Sequence, residues 1–277
     1  MVDIVGKQID CLDKGFIKVV DTMGDDSAVV QAARTSYGEG TKTVNEDRGL
    51  IRYLMRHWHT TPFEMCEIKL HCKIPLFVAR QWVRHRTANI NEMSARYSIL
   101  PNEFYIPDIN QMKPQSMNNA QGRNESVDTS TDPEILEAQA AILAHSDDSY
   151  QTYEYLLGDG KETGVGLARE LSRMVLPVNI YTEWYWKIDV HNLMHFMRLR
   201  CDPHAQYEVR VYADAMLALF VDWMPVTHEA FVDYRLEAVT LSRMEFAAIK
   251  NLLSEGGYYW EDMSDREIKE FETKFEI

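Results

Sequence analysis

Arg84, His85 and Arg86 stand in a row, and Glu92, Ser94 and Arg96 follow within ten residues. Between Ile68 and Asn91 there is no Asp or Glu, although the chain as a whole carries a formal charge of −14. Guanidinium groups gathered inside an anionic protein suit a pocket for a small anion, phosphate above all, because the planar fork of arginine holds two oxygens at once. The competing reading is a solvated basic helix face, which is what most charge runs are.

Two further groups carry side chains capable of chemistry. His57-Trp58-His59-Thr60-Thr61-Pro62-Phe63-Glu64 puts two histidines ahead of a Thr-x-x-Glu pattern. That pattern is a capping box in its own right, with Thr61 and Glu64 each satisfying a helix donor. Asp189, His191 and His195 precede Arg200, and the two histidines, four residues apart, fall on one helical face. Histidines so spaced can share a metal ion. Asn192 follows His191, however, so the His-Glu-x-x-His pattern of zinc proteases is absent. A metal-dependent nucleotide phosphohydrolase using His57, His59, His191 and His195 stays open on these residues, as does a nucleotide-binding protein without catalysis. Gly158-Asp159-Gly160 and Gly164-Val165-Gly166 imitate a dinucleotide loop. No strand precedes them and the spacing fails, so they read as a turn between helices.

Arg-His-Arg followed after seven residues by Ser is the signature of the flavin-dependent thymidylate synthases, and Arg84-His85-Arg86 with Ser94 resembles it. Asn91-Glu92, Arg96-Tyr97, His59 with Thr61-Pro62-Phe63-Glu64, and Asp202-Pro203-His204-Ala205-Gln206 resemble the same family, and the likeness spans about Ala28 to Tyr234. Asn89 stands where many members have a serine, and Met65 where a histidine often follows the glutamate.

The resemblance implies an α+β domain that methylates dUMP to dTMP. It implies methylenetetrahydrofolate as carbon donor, reduced FAD as hydride donor and NADPH to regenerate the flavin. On this likeness Gln81, Arg84, Glu92, Met93, Ser94, Ala95, Arg96, Arg173 and Arg200 hold dUMP. Contacts to FAD fall on Ser36, Thr61, Glu64, Arg84, His85, Arg86, Glu92, Asp189, His191 and His195. Arg200, beside the uracil ring, and His59, near the flavin, are the residues placed at the chemistry; no metal is expected. A homotetramer with active sites shared between chains is also implied.

The bulk composition bounds these readings. With 277 residues and 45 % hydrophobic content, one elaborated domain with a sizeable core is expected. The acidic balance disfavours binding to a nucleic-acid polymer, which needs a broad basic surface, but not a single nucleotide in an arginine pocket. Four cysteines without CxxC spacing, no leader-like start and no long apolar run lead to the expectation of a cytoplasmic protein that does not span a membrane.

The elements that must position these residues follow from periodicity. Phe16, Ile17, Val19 and Val20 predict a buried strand, Ser27–Arg34 a helix broken by Ser36-Tyr37-Gly38, and Asn45–His57 a further helix. Cys66–Ile74 alternates as a half-buried strand, and Pro75 opens a helix running toward Arg86. Pro107–Pro133 is a long polar loop or insertion. The second half is predicted helical, over Glu134–Leu157, Glu162–Leu176 and Lys187–Arg200, with Asp202-Pro203 opening another helix and a helical extension after about residue 238. Strands early and helices late make the fold class α+β.

Overall fold

Alternation decides the sheet at the centre of the molecule. In β3 (Glu67–Pro75), Ile68, Leu70, Cys72 and Ile74 are buried, while Glu67, Lys69, His71 and Lys73 lie on the half-exposed face. β3 pairs antiparallel with β2 (Gly15–Met23), which pairs with β1 (Gln8–Cys11). On its other side β3 pairs with β5 (Tyr181–Asp189), and β5 with the short β4 (Asn89–Glu92). The order is therefore β1-β2-β3-β5-β4, antiparallel throughout. The polar face is laced by Lys187–Glu67 at 2.7 Å and His71–Glu183 at 2.8 Å. The computed structural model describes residues 3–35, 44–117, 121–158, 163–253 and 264–275.

The apolar face is covered by α4 (Leu76–Trp82), α7 (Val190–Arg200) and α8 (Tyr207–Trp223). Trp82, fully buried, is the hub. Its indole meets Trp184 and Trp186 of β5 edge-on at 5.5 and 5.1 Å, Phe196 of α7 at 5.0 Å and Tyr212 of α8 at 5.8 Å. Such offset aromatic contacts are each worth about 0.5–1.5 kcal/mol beyond the area they bury. They fix the end of α4, and with it Gln81 and His85, against the turn of α7 that carries His195 and Arg200.

A second helical layer consists of α1 (Asp26–Arg34), α2 (Val44–Arg56), the single turn α3 (Thr61–Glu64) and α9 (Pro225–Phe231). Asp25 caps α1 by accepting from the amides of Ser27 and Ala28. Asp26 in turn accepts from the amides of Val226 and Thr227, tying α1 to α9. Arg48 and Arg52 of α2 clasp Glu229 of α9, and the Arg48 guanidinium holds that carboxyl below its usual range. The chain leaves α2 through Trp58, a non-glycine residue at φ 61°, and so turns toward His59.

The α+β class holds, but several expected elements are redrawn. The second half is not all helix, because Tyr181–Asp189 is the strand β5 and the helix predicted from Lys187 starts at Val190. Alternation of Thr182, Trp184, Trp186 and Ile188 carries that strand, and its aromatic content favours the sheet. Glu162–Leu176 is not one helix: Arg169–Ser172 forms a single turn, α6, continued by the 3₁₀ turn Arg173–Val175. Pro75 is the last residue of β3 rather than the first of a helix, and α4 stops at Trp82, leaving Arg84 and Arg86 on the exposed segment beyond. Asp202 accepts from the His204 amide in a turn, and α8 begins later, at Tyr207. Thr61 is not a cap; Thr60 occupies that position without a side-chain bond, so the capping box does not form.

The polar segment from Pro107 carries a 3₁₀ turn, Ile109–Gln111, and a bridge between Gln115 and Arg123 before the long α5 (Pro133–Leu157). Gly158 ends α5 in the left-handed region at φ 59°, where the αL cap favours glycine; Asp159 and Gly160 of the expected turn lie outside the described residues. Residues Met1–Leu236 form one compact unit. Glu237–Ile277 forms another, with α10 (Arg243–Leu253) and α11 (Asp265–Phe275). Each of those helices starts in a reciprocal capping box, Ser242 with Glu245 and Ser264 with Glu267.

Candidate active site

Arg200 ends α7 half-buried, and its partners are neutral. Its Nε–H donates to Nε2 of His85 at 3.0 Å, and its terminal nitrogen donates to the Gln81 carbonyl at 3.4 Å. Among the described residues no carboxylate lies within ion-pair distance of it. The His85 pKa is pushed down to about 4, first by burial and then by Arg200 and His195, whose ring is 6.0 Å away. The ring is therefore neutral near pH 7, with its proton on Nδ1 so that Nε2 can accept. A guanidinium held by neutral groups keeps its charge uncompensated and available for a bound anion. The side chain of Gln81 is fixed by a hydrogen bond to the Gln206 side chain.

A second recess, of about 400 Å³, is lined by Glu92, Met93, Ser94 and Ala95 after β4, by Arg173, and by Tyr181 and Thr182 of β5. The Thr182 hydroxyl donates to Glu92 at 2.7 Å, and the Met93 amide donates to the Glu183 carbonyl at 2.8 Å. Pairing of β4 with β5 is what presents this segment. Arg96 turns out toward solvent, where it meets Glu170 at 3.3 Å; both are more than half exposed, so that pair adds little. Arg84 and Arg86 are exposed and have no ion-pair partner among the described residues.

His59 faces two hollows. One lies between α2, α3, α7 and α9, lined among others by Trp58, His59, His191, His195, Arg198 and Arg235. The other, about 690 Å³, runs along α1 and α2 and takes in Arg34, Tyr53, His59 and Thr61. Arg235 lies over the Trp58 ring at 3.3 Å, and its pKa is pulled down to about 10 by burial and then by Arg198. This hollow is small, about 60 Å³, so its two guanidiniums and three imidazoles suit part of an anion, such as a phosphate group. Asp189 caps α7 through the Asn192 amide at 2.9 Å, and Glu64 is half-buried on α3 and lines neither hollow. Ser36 lies outside the described residues. No group of three His, Cys, Asp or Glu among the described residues is placed to hold a metal ion, and no described helix is long and apolar enough to cross a membrane.

Many of the expected site residues gather in three places: Gln81, His85 and Arg200; Glu92 to Ala95 with Arg173; and His59 with Thr61, His191 and His195. Arg84, Arg86, Arg96, Glu64 and Asp189 line none of these recesses. Arg200 lines neither the Glu92 recess nor the His59 hollows. The spacing of the motif gives no sign of Thr182, Arg198 or Arg235, whereas Gln206 stands in the Asp202–Gln206 stretch of the family likeness. Alternation across Tyr181–Asp189 was the signal that exposes Thr182; Arg198 and Arg235 reach the site only through helix packing.

Residues 18–226 match the family described as thymidylate synthase complementing protein. The flavin-dependent thymidylate synthase of Ruegeria pomeroyi is 56 % identical over 263 residues, covering 94 % of this chain and 85 % of the relative. That of Rickettsia bellii is 53 % identical over 259 residues, 91 % of this chain and 87 % of the relative. Among solved structures, a UMP/dUMP methylase, PolB of Streptomyces cacaoi bound with 5-Br dUMP, superposes with a TM-score of 0.71 at 33 % identity, over 82 % of this chain and 99 % of that one. With a family match over most of its length and relatives above half identity, the chain belongs to the flavin-dependent thymidylate synthases.

Proposed function

We propose that the protein converts dUMP to dTMP, taking a methylene group from methylenetetrahydrofolate onto C5 of the uracil and releasing the C5 proton. The cofactor in this reading is FAD, which when bound and reduced supplies the hydride that completes the methyl group, with NADPH as the source of electrons. The observation that carries the reading is the half-buried Arg200, charged and without a carboxylate partner among the described residues. A fixed cation beside the pyrimidine stabilises negative charge as it develops on the ring, which makes C5 nucleophilic. His85, neutral and with its Nε2 lone pair engaged by Arg200, holds the guanidinium plane without cancelling its charge.

The Glu92–Ala95 recess and Arg173 serve the nucleotide, with Gln81, Arg84 and Arg96 as further contacts; Arg84, His85, Arg86 and Glu92 also face the flavin. His59, Thr61, Glu64, Asp189, His191 and His195 serve the flavin, supported by the two guanidiniums in the same hollow. Ser36 is carried in this set on the motif alone. His59 has the positioning or proton-handling role. The three places are completed by neighbouring chains in a homotetramer, a reading supported by Arg200 lining neither hollow nor recess of its own chain. A reducing cytoplasm suits the four free cysteines.

The test is direct. The purified protein should bind FAD, oxidise NADPH faster with dUMP present, and form dTMP when methylenetetrahydrofolate is added. A protein that binds dUMP but oxidises no NADPH is a binding protein only, and one that takes up no flavin in a fluorescence titration defeats the reading.

A further inference from the structure

Glu208, at the start of α8, is 2 % exposed, yet it carries a carboxylate. Its charge is answered by Arg123, from the polar segment between Pro107 and Pro133, which forms an ion pair with Oε1. The Tyr105 hydroxyl donates to the same oxygen at 3.2 Å. The second oxygen, Oε2, accepts from the side-chain amide nitrogen of Gln206 at 2.8 Å. An ionised carboxylate accepts only. Gln206 must therefore point its nitrogen at Glu208 and its oxygen away, and that oxygen accepts from the side-chain nitrogen of Gln81. The Gln81 amide oxygen is left without a partner among the described residues, on the residue whose backbone carbonyl accepts from Arg200.

We propose that Glu208, neutralised by Arg123, is a positioning residue that fixes, through Gln206, which end of the Gln81 amide faces the nucleotide. The Gln81 oxygen is thereby presented as an acceptor for an N–H or O–H of the ligand. This gives Arg123 a function, since its guanidinium pairs with a carboxylate buried at the start of α8. Backbone bonds from Ser116 to Gly122 at 2.9 Å and from Asn124 to Pro114 at 2.8 Å hold Arg123 in place. The inference rests on the reading of Gln81 as a nucleotide contact.

The experiment is a double-mutant cycle on the full-length flavoprotein, with Arg123→Met and Gln81→Ala made singly and together, and dUMP affinity measured by calorimetry. Arg123→Met should weaken dUMP roughly three- to tenfold, in the range of a residue coupled to the site through a chain of contacts. FAD affinity and the KM for methylenetetrahydrofolate should be unchanged, and Arg123→Lys should restore most of the loss. In the Gln81→Ala background the effect of Arg123→Met should disappear. An Arg123→Met effect that persists without the Gln81 amide, or no effect at all, overturns the proposal while leaving the nucleotide reading of Gln81 intact. If Gln81→Ala itself leaves dUMP binding unaltered, that reading fails and the proposal with it. Should Arg123→Met not fold, Tyr105→Phe, which removes one donor to Glu208 without stripping its counter-charge, takes its place in the cycle with a smaller effect in the same direction.

Discussion

Arg200 and His85 are bound through Nε and Nε2 at 3.0 Å, so two side chains that would repel as cations form a stable pair because one is neutral. Burial and the neighbouring guanidinium keep the imidazole uncharged down to about pH 4.

Replacing Arg200 by Lys keeps a positive charge but removes the donor to His85 and the two-pronged fork. Nucleotide affinity and turnover should both fall, with about 1.5–3 kcal/mol lost in transition-state stabilisation, the scale of a hydrogen bond to a charged group. Steady-state kinetics with dUMP as the varied substrate gives the number. Unchanged kinetics would show that Arg200 only anchors α7 to His85 and takes no part in binding or chemistry.

The His85 shift fixes the sign of a pH effect. Its folded pKa lies near 4, below the 6.5 of a free imidazole. The group therefore disfavours folding only where the unfolded chain gains a proton, so its penalty is absent above about pH 6.5, grows as pH falls and levels off below about 4. Discounted for a half-exposed ring, the penalty is about 1–2 kcal/mol. Denaturant titrations across this window should show the loss, and His85→Gln should flatten it. A wild-type curve no steeper than that of His85→Gln would show that the imidazole titrates normally in the folded state.

Cysteine plays no part in the proposed chemistry. Burial raises the thiols of Cys11, Cys66 and Cys201 to about 12, and that of Cys72 is raised as well. At Cys201 burial and then Asp214 raise the thiol, so it is not activated despite Arg200 next to it in sequence. A variant with Ser at all four positions should form dTMP within about tenfold of the parent, any loss arising from packing. If Cys201→Ser folds, binds FAD and dUMP and makes no dTMP, the hydride route is incomplete.

Gly15 offers a test of the scaffold. A Cβ there would meet the Tyr212 hydroxyl and come within 2.8 Å of the carbonyls of Cys11 and Lys73. That hydroxyl donates to the Lys73 carbonyl at 2.8 Å, and Tyr212 packs on Trp82. Gly15→Ala should cost about 2–4 kcal/mol from overpacking and the lost bond, read as a fall in Tm. A change under about 0.5 kcal/mol would show that the turn yields freely.

Several features of this protein were legible in the chain alone. The alternation of β3, the helical periods of α1, α2 and α5, and the spacing from Arg86 to Ser94 are all local, and local sequence determines them because each residue's face is set by its neighbours in the same element. Beyond that reach lay β5, whose place between β3 and β4 depends on two partners far away in sequence, and the stop of α4 at Trp82, where the aromatic cluster holds the helix end. Nor did the motif show that Arg200 would meet His85 rather than a carboxylate, or that Arg123 would cross to Glu208. Those pairings arise when sheet and helices pack, because burial decides which charges must find a partner and which can stand poised without one.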